Sequence, residues 1–198
     1  MKTMVYAGVN KGEGFFPRAN EFDLAIGFEA DPKLCRILQE TVNRQERRNI
    51  EIVNAALCNY DGEVKFNINN NDYTSSIGTI NTDIHPAITT VSTINVRAVN
   101  LFNFLIERGI DHIDFYLSDL QGMDLIILKT LQPFLKEKKI ITLQCEVGKD
   151  EKPPVYLDLY NKFSGFQELL SDNYRIIEHR KVESDITEDI VWRVKSKP

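Results

Sequence analysis

Val5-Tyr6-Ala7-Gly8-Val9-Asn10-Lys11-Gly12-Glu13-Gly14 is the stretch from which the chain is best read. A short apolar run over 4–7 feeds a loop with glycines at 8, 12 and 14, and a second apolar run over 24–28 ends on Glu29. Strand, glycine loop, second strand and terminal acid are the parts of a cradle for a nucleotide-type ligand. Glycine lets the backbone approach a ligand and adopt positive φ without a Cβ penalty. An acid closing the next strand can accept hydrogen bonds from both ribose hydroxyls. Taken alone, these residues would equally make a glycine-rich turn with no ligand, so the neighbouring segments carry the decision.

Working outward, residues 15–23 leave room only for a short helix, with Pro17 in its first turn. Asp31-Pro32 supplies an N-cap and a first-turn proline, and Leu34, Ile37, Leu38 and Val42 keep helical spacing to about residue 45. A third strand is expected over 50–53, ending at Asn54-Ala55-Ala56. Asp61-Gly62 is a turn signal, and 64–68 alternates like a strand of a hairpin. From 69 to 93 the composition turns to Asn, Thr, Ser and Asp without a period. A loop of that length inside a domain is functional or disordered.

Strand character returns over 94–99, followed by a helix that closes at Gly109. The next strand, 113–117, ends at Ser118-Asp119; Gly122 and a helix over 125–135 follow. Residues 140–147 read as a central strand with Glu146 near its carboxyl end. Pro153-Pro154 marks a linker, 155–170 a helix, and 174–180 and 189–195 the last strands. The link between those two is too short for a parallel crossover, so they form an antiparallel hairpin at one edge. The pattern predicts one α/β domain over 1–198, a Rossmann-like, doubly wound, mostly parallel sheet. A closing hairpin resembles the sheet of class I S-adenosylmethionine methyltransferases more than that of a nicotinamide-dependent enzyme.

With 198 residues, 42% hydrophobic and 27% charged, the composition is that of a single soluble domain. A net charge of −5 gives no electrostatic case for nucleic acid. The basic clusters Arg44, Arg47, Arg48 and Lys136, Lys138, Lys139 sit at expected helix ends, where cations suit the helix dipole. Cys35, Cys58 and Cys145 are odd in number and far apart, with no metal-ligand spacing, so no metal is expected. No apolar run approaches a membrane span and no signal-peptide pattern opens the chain, which makes the cytoplasm the expected compartment.

In open α/β sheets the ligand lies beyond the carboxyl ends of the strands. Gly8/Asn10/Gly12, Glu29, Asn54 and Asp119 all fall there, with Glu146 close to a fifth strand end. In that order the chain resembles the FkbM-type family of class I S-adenosylmethionine-dependent methyltransferases. The family's Asp-x-Gly-Ala-Asn-x-Gly is matched by Tyr6-Ala7-Gly8-Val9-Asn10-Lys11-Gly12, and its Phe-Glu-Pro-x-Pro by Phe28-Glu29-Ala30-Asp31-Pro32. Its Ala-Leu and Asp-Gly correspond to Ala56-Leu57 and Asp61-Gly62, and its paired serines to Ser75-Ser76. Its Lys-Ile-Asp-Val-Glu-Gly-x-Glu stretch corresponds to residues 117–124, from Leu117-Ser118-Asp119 to Gly122-Met123-Asp124.

The resemblance implies S-adenosyl-L-methionine as cofactor and a small-molecule or glycan hydroxyl as methyl acceptor. By the same resemblance Gly8, Asn10 and Gly12, with Tyr6, would hold the methionine half. Glu29 would take the ribose hydroxyls with Ala30 beside it, Asn54 and Ala55 would line the adenine, and Asp119 would face the sulfonium. Asp119 is the first candidate base for the acceptor hydroxyl and Glu146 the second. His85 is a further base that loop closure could bring in, and the 69–93 loop a candidate lid over the acceptor. His112 and His179 are read as structural. The chain departs from the family pattern at Tyr6, Leu117-Ser118, Gln121 and Asp124. A non-catalytic binding module of the same fold is therefore the alternative, with a nicotinamide-dependent oxidoreductase third.

Overall fold

Apolar runs rich in β-branched and aromatic residues become strands wherever both faces can be covered, and the first is β1 (Thr3–Ala7). A computed structural model describes residues 1–180 and 185–196. After β1 come α1 (Phe15–Ala19), β2 (Leu24–Glu29), α2 (Pro32–Arg44), β3 (Ile50–Asn54), β4 (Ala56–Cys58) and β5 (Gly62–Asn69). They are followed by β6 (Thr90–Asn100), α3 (Leu101–Glu107), β7 (Ile113–Ser118), α4 (Asp124–Thr130), α5 (Gln132–Lys136) and β8 (Ile140–Gly148). The chain closes with α6 (Phe163–Leu170), β9 (Tyr174–Arg180) and β10 (Thr187–Val194).

The main sheet has seven strands in the order β3-β2-β1-β7-β8-β10-β9. β1, β2, β3, β7 and β8 run parallel, whereas β10 is antiparallel to both β8 and β9. This is the Rossmann-like, doubly wound sheet with an antiparallel edge that the sequence predicts. Asp31 caps α2, its carboxylate accepting from Lys33 N at 2.8 Å, and α1 is a single short turn as its spacing requires. On one face Met4, Phe15 and Leu38 pack under α1 and α2. On the other, Leu105, Leu125, Leu128 and Phe166 cover the sheet, and Phe166 stacks on Trp192 with ring centroids 5.7 Å apart.

Four expectations need correction. The Asp61-Gly62 turn does not join a hairpin: β4 and β5 each pair with β6, in a second sheet ordered β4-β6-β5. The helix expected over 125–135 is two helices broken at Leu131, because Pro133 lacks the N–H that would continue the first. The helix expected over 155–170 begins only at Phe163. Residues 155–158 instead bond to the polar loop: Asn81 N donates to Val155 O, Leu157 N to Thr79 O, and Thr79 N to the Asp158 carboxylate. Finally, β6 takes up the end of the 69–93 segment, and a 3-10 turn over Asp72–Thr74 gives its start a fixed shape.

The loop after β1 is wedged between the ends of two neighbouring strands. Gly8 N and Val9 N both donate to Phe28 O at 3.0 Å, and Asp119 N donates to Ala7 O at 3.0 Å. Gly8 has φ +84°, and a Cβ there would lie 2.0 Å from the Asp119 carbonyl oxygen. Gly8→Ala must therefore push the β1 and β7 loops apart. Chemical denaturation is expected to show a loss of about 3 kcal/mol, well beyond ordinary left-handed strain.

Candidate active site

The carboxyl ends of β1, β2, β3 and β7 enclose a cleft with about 980 Å³ of empty space, its mouth included. Tyr6, Gly8, Asn10, Glu29, Ala30, Ala55 and Asp119, scattered through the sequence, all line it. Gly12 and Asn54 do not reach the wall. Gly12, at φ +85°, gives its side-chain space to Phe16 and Leu38 and so seats α1 and α2. Asn54 Nδ2 donates to Glu29 O at 2.9 Å and Ala30 O at 3.2 Å, locking the ends of β2 and β3 together. Both support the wall from behind.

Glu29 is only 7% exposed. One carboxylate oxygen accepts from Asn10 N at 2.7 Å and the other from Asp31 N at 2.8 Å. Burial pushes its pKa up, opposed by the N–H groups of Asp31 and Asn10. A carboxylate offers about four lone-pair sites, so each oxygen keeps one for a ligand hydroxyl. Asn10 adopts a left-handed φ of 52°, and its Nδ2 donates to Asp72 O at 3.1 Å. Its Oδ1 is buried with no partner, an acceptor at the cleft that a ligand donor would satisfy. Leu34, Phe66 and Ile77 give the far wall an apolar surface. An apolar slot, a carboxylate with spare lone pairs and an orphaned amide oxygen together fit an adenosine bearing a polar tail.

The polar loop closes part of this cleft. Lys11 Nζ lies 3.4 Å from Asp72 and 4.9 Å from the centre of the Tyr73 ring. Ser76, buried, donates through Oγ to Gln121 O at 2.8 Å and accepts from Gly78 N. The paired serines signalled this loop in the sequence. Tyr73 and Asp72, which also line the cleft, have no local signature because only the folded loop brings them to Lys11. His85 does not line the cleft; His112 and His179 lie against Asp114 and Glu188 on the surface.

A row of acids crosses the sheet at the inner end of the cleft. Ser118 registers with Cys145, which puts Asp119 beside Glu146, and Glu146 registers with Asp189. Asp119 is reached by solvent from the cleft but is otherwise surrounded by protein. Burial raises its pKa. Burial and then the neighbouring Asp119 charge raise that of Glu146 further, so the two behave as a pair sharing a proton. Gln121 Nε2 donates to Asp119 Oδ1 at 2.5 Å. Glu146 itself faces a second, smaller cavity. Tyr6, packed edge-on to Phe15 at 5.6 Å, is held neutral, its pKa pushed up by burial to about 12. Among the described residues no group of His, Cys, Asp and Glu has the geometry of a metal site.

A family model for the methyltransferase FkbM domain matches residues 7–176. Among solved structures, TrmK of M. capricolum in complex with S-adenosyl-homocysteine superposes with a TM-score of 0.54 at 12% identity, covering 99% of this chain and 63% of that one. Magnesium protoporphyrin IX methyltransferase of Synechocystis, with bound S-adenosylmethionine, superposes with a TM-score of 0.51 at 9% identity, covering 97% of this chain and 69% of that one. The chain thus spans less than two thirds of the length of TrmK, and identities this low speak for the fold. No curated protein matches the sequence.

Asp124 gives the site a pH signature. It is fully buried, and burial, then the Asp119 charge, raises its pKa to about 7. The folded chain holds a proton that the unfolded chain would release, so this contribution is complete below the unfolded carboxylate pKa of about 3.9. It is lost as pH rises through about 7. Denaturation midpoints measured between those limits should fall with pH in the wild type and fall less steeply in Asp124→Asn.

Proposed function

The chain belongs to the methyltransferase FkbM domain family, and from that premise we propose that it methylates a hydroxyl oxygen of a small molecule or glycan, with S-adenosyl-L-methionine as cofactor. The observation that carries this reading is one cleft with Glu29 and the orphaned Asn10 oxygen at one end and Asp119 at the other. Glu29 takes the ribose hydroxyls, Ala30 and Ala55 border the adenine, and Gly8, Asn10 and Tyr6 surround the methionine half. Gly12 and Asn54 act behind them by fixing the loop and the strand ends. When bound, the cofactor supplies an electrophilic methyl group on a sulfonium.

The chain's own residues contribute charge, orientation and proton transfer. The Asp119 carboxylate, held by Gln121 Nε2, would face the sulfonium of a bound cofactor and favour its positive charge. With Glu146 it forms a base whose raised pKa suits removal of an alcohol proton as the new bond forms. Holding acceptor and methyl group in near-attack geometry supplies the rest. The row of acids and the net charge of −5 favour an uncharged acceptor over nucleic acid. Free, buried Cys35, Cys58 and Cys145 support a reducing compartment, the cytoplasm. Among the described residues no helix is long and apolar enough to cross a membrane.

Tyr6 favours a second reading, a binding module that keeps the cofactor site without turnover, because a neutral phenol stands where the family places an acid. Calorimetry and turnover separate the two. Glu29→Gln should weaken S-adenosylmethionine binding about tenfold or more, roughly 1.4 kcal/mol, with thermal melting run alongside to check the Asn10 and Asp31 contacts. Binding unchanged by that substitution would remove Glu29 from the ribose. Asp119→Asn should bind the cofactor yet lose methyl transfer, and wild-type turnover should rise with pH as the carboxylate pair gives up its proton. Cofactor binding without transfer to any alcohol in wild type would favour the binding module.

A further inference from the structure

We propose that Tyr73 is a cofactor-binding residue: carried by the 72–74 turn and backed by Lys11, its ring closes over the adenine of bound S-adenosylmethionine; this rests on the cofactor reading above. The turn is the part of the polar segment that enters the large cleft, where Asp72 and Tyr73 share the wall with Lys11. Tyr73 is 49% exposed although it is a large aromatic on a turn of fixed shape. A ring held at the mouth of a slot with apolar walls offers its face to a second flat surface.

The turn is anchored at one end and lightly tied at the other. Thr74 O accepts from the Tyr156 hydroxyl at 2.8 Å and from Asn69 Nδ2 at 2.7 Å, and both partners are buried. Asn71 fixes its shape: Oδ1 accepts from Tyr73 N at 3.1 Å, and the backbone O accepts from Thr74 Oγ1 at 2.8 Å. The tie to the loop after β1 is weaker. Lys11 Nζ meets Asp72 at 3.4 Å with side chains 44% and 49% exposed, and Asn10 Nδ2 donates to Asp72 O at 3.1 Å. An exposed ion pair adds little stability. The Asp72 end can therefore lift to admit a ligand and settle again, turning on its Thr74 anchor.

Asn10 places the turn at the nucleoside end of the site. Its backbone N donates to Glu29 at 2.7 Å while its side-chain amide holds Asp72 O. The residue that fixes the ribose-binding carboxylate thus also carries the turn. Leu34, Phe66 and Ile77 line the same cleft and give the base a further apolar surface. Lys11 Nζ lies over the Tyr73 ring, 4.9 Å from its centre. An ammonium on one face of a phenol leaves the opposite face for a planar group. Because Asp72 meets its charge, Lys11 holds the ring and the loop together rather than drawing in an anion. The turn belongs on this reading to the cofactor, not to the methyl acceptor.

The test is calorimetry on the full chain with S-adenosylhomocysteine and with 5′-methylthioadenosine, which keeps the adenine and ribose but lacks the amino-acid end. Tyr73→Ala should weaken both ligands about tenfold, the scale of a lost base–aromatic stack. Tyr73→Phe keeps the ring and should stay within about twofold of wild type. Amide exchange in the wild type gives a readout free of any substitution: the 72–74 amides should slow when S-adenosylhomocysteine saturates the site. Unchanged affinity in Tyr73→Ala, a loss confined to S-adenosylhomocysteine, an equal loss in Tyr73→Phe, or unchanged exchange over 72–74 would each overturn the assignment while leaving the cofactor reading in place. A wild-type chain that binds neither ligand would overturn the cofactor reading itself and the assignment with it.

Discussion

The site depends on a backbone crossing that leaves no room for a side chain. Where β1 ends, Phe28 O accepts from both Gly8 N and Val9 N, and Ala7 O accepts from Asp119 N. Three strand ends are thereby held at main-chain contact distance, with the missing Cβ of Gly8 filled by the Asp119 carbonyl. Because these bonds are between backbone groups, they fix Asn10, Glu29 and Asp119 relative to one another whatever the nearby side chains do. A glycine usually discussed for ligand approach is here first a packing requirement, and the approach of a ligand follows from it.

Beside that crossing four carboxylates gather. Asp119, Glu146, Asp124 and Asp189 would repel one another if all were charged, and each has its pKa raised first by burial. Protonation relieves the repulsion, and hydrogen bonds fix what remains. Leu120 N donates to Asp124 at 3.0 Å, Gln144 Nε2 donates to Asp189 at 3.0 Å, and Arg180 in turn donates to Gln144 at 3.1 Å. Gathering acids costs stability at neutral pH, and acids with pKa values shifted in this way are concentrated at functional sites.

The parallel strands were legible in the sequence because each is a continuous apolar run closed by a polar residue, and the short final link fixed the antiparallel edge. The polar residues that close those strands were legible for the same reason, and two of them, Glu29 and Asp119, line the cleft. What was not legible depends on non-local pairing. Residues 155–161 have helix-compatible composition, yet Val155 and Leu157 find their backbone partners in Asn81 and Thr79, far away in the chain. Asn69 and Asn70 read as loop composition, but their side chains bond to Thr74 and Ala87, and with Asn67 of β5, which bonds to Gly78, they give the polar segment its shape. Gly12 and Asn54 show the limit of motif reading: the motif locates the loop, and only packing decides which side of the wall a residue occupies.

Tyr6 is the departure from the family pattern with the clearest physical consequence. It is half-buried on β1, and both burial and the Asp119 charge raise its pKa, so the two groups feel each other electrostatically. A carboxylate at this position would add another charge to a row that already shares protons, pushing Asp119 and Glu146 further toward their neutral forms. A phenol removes that burden and fills the space with a ring instead. The loop accommodates the ring through Gly14, where a Cβ would come within 2.6 Å of the Tyr6 hydroxyl, and Arg18 secures the glycine by donating to its carbonyl at 2.7 Å. Tyr6 and Gly14 thus form one steric unit. The charge lost at position 6 is a charge that Asp119 and the acids beside it no longer have to oppose.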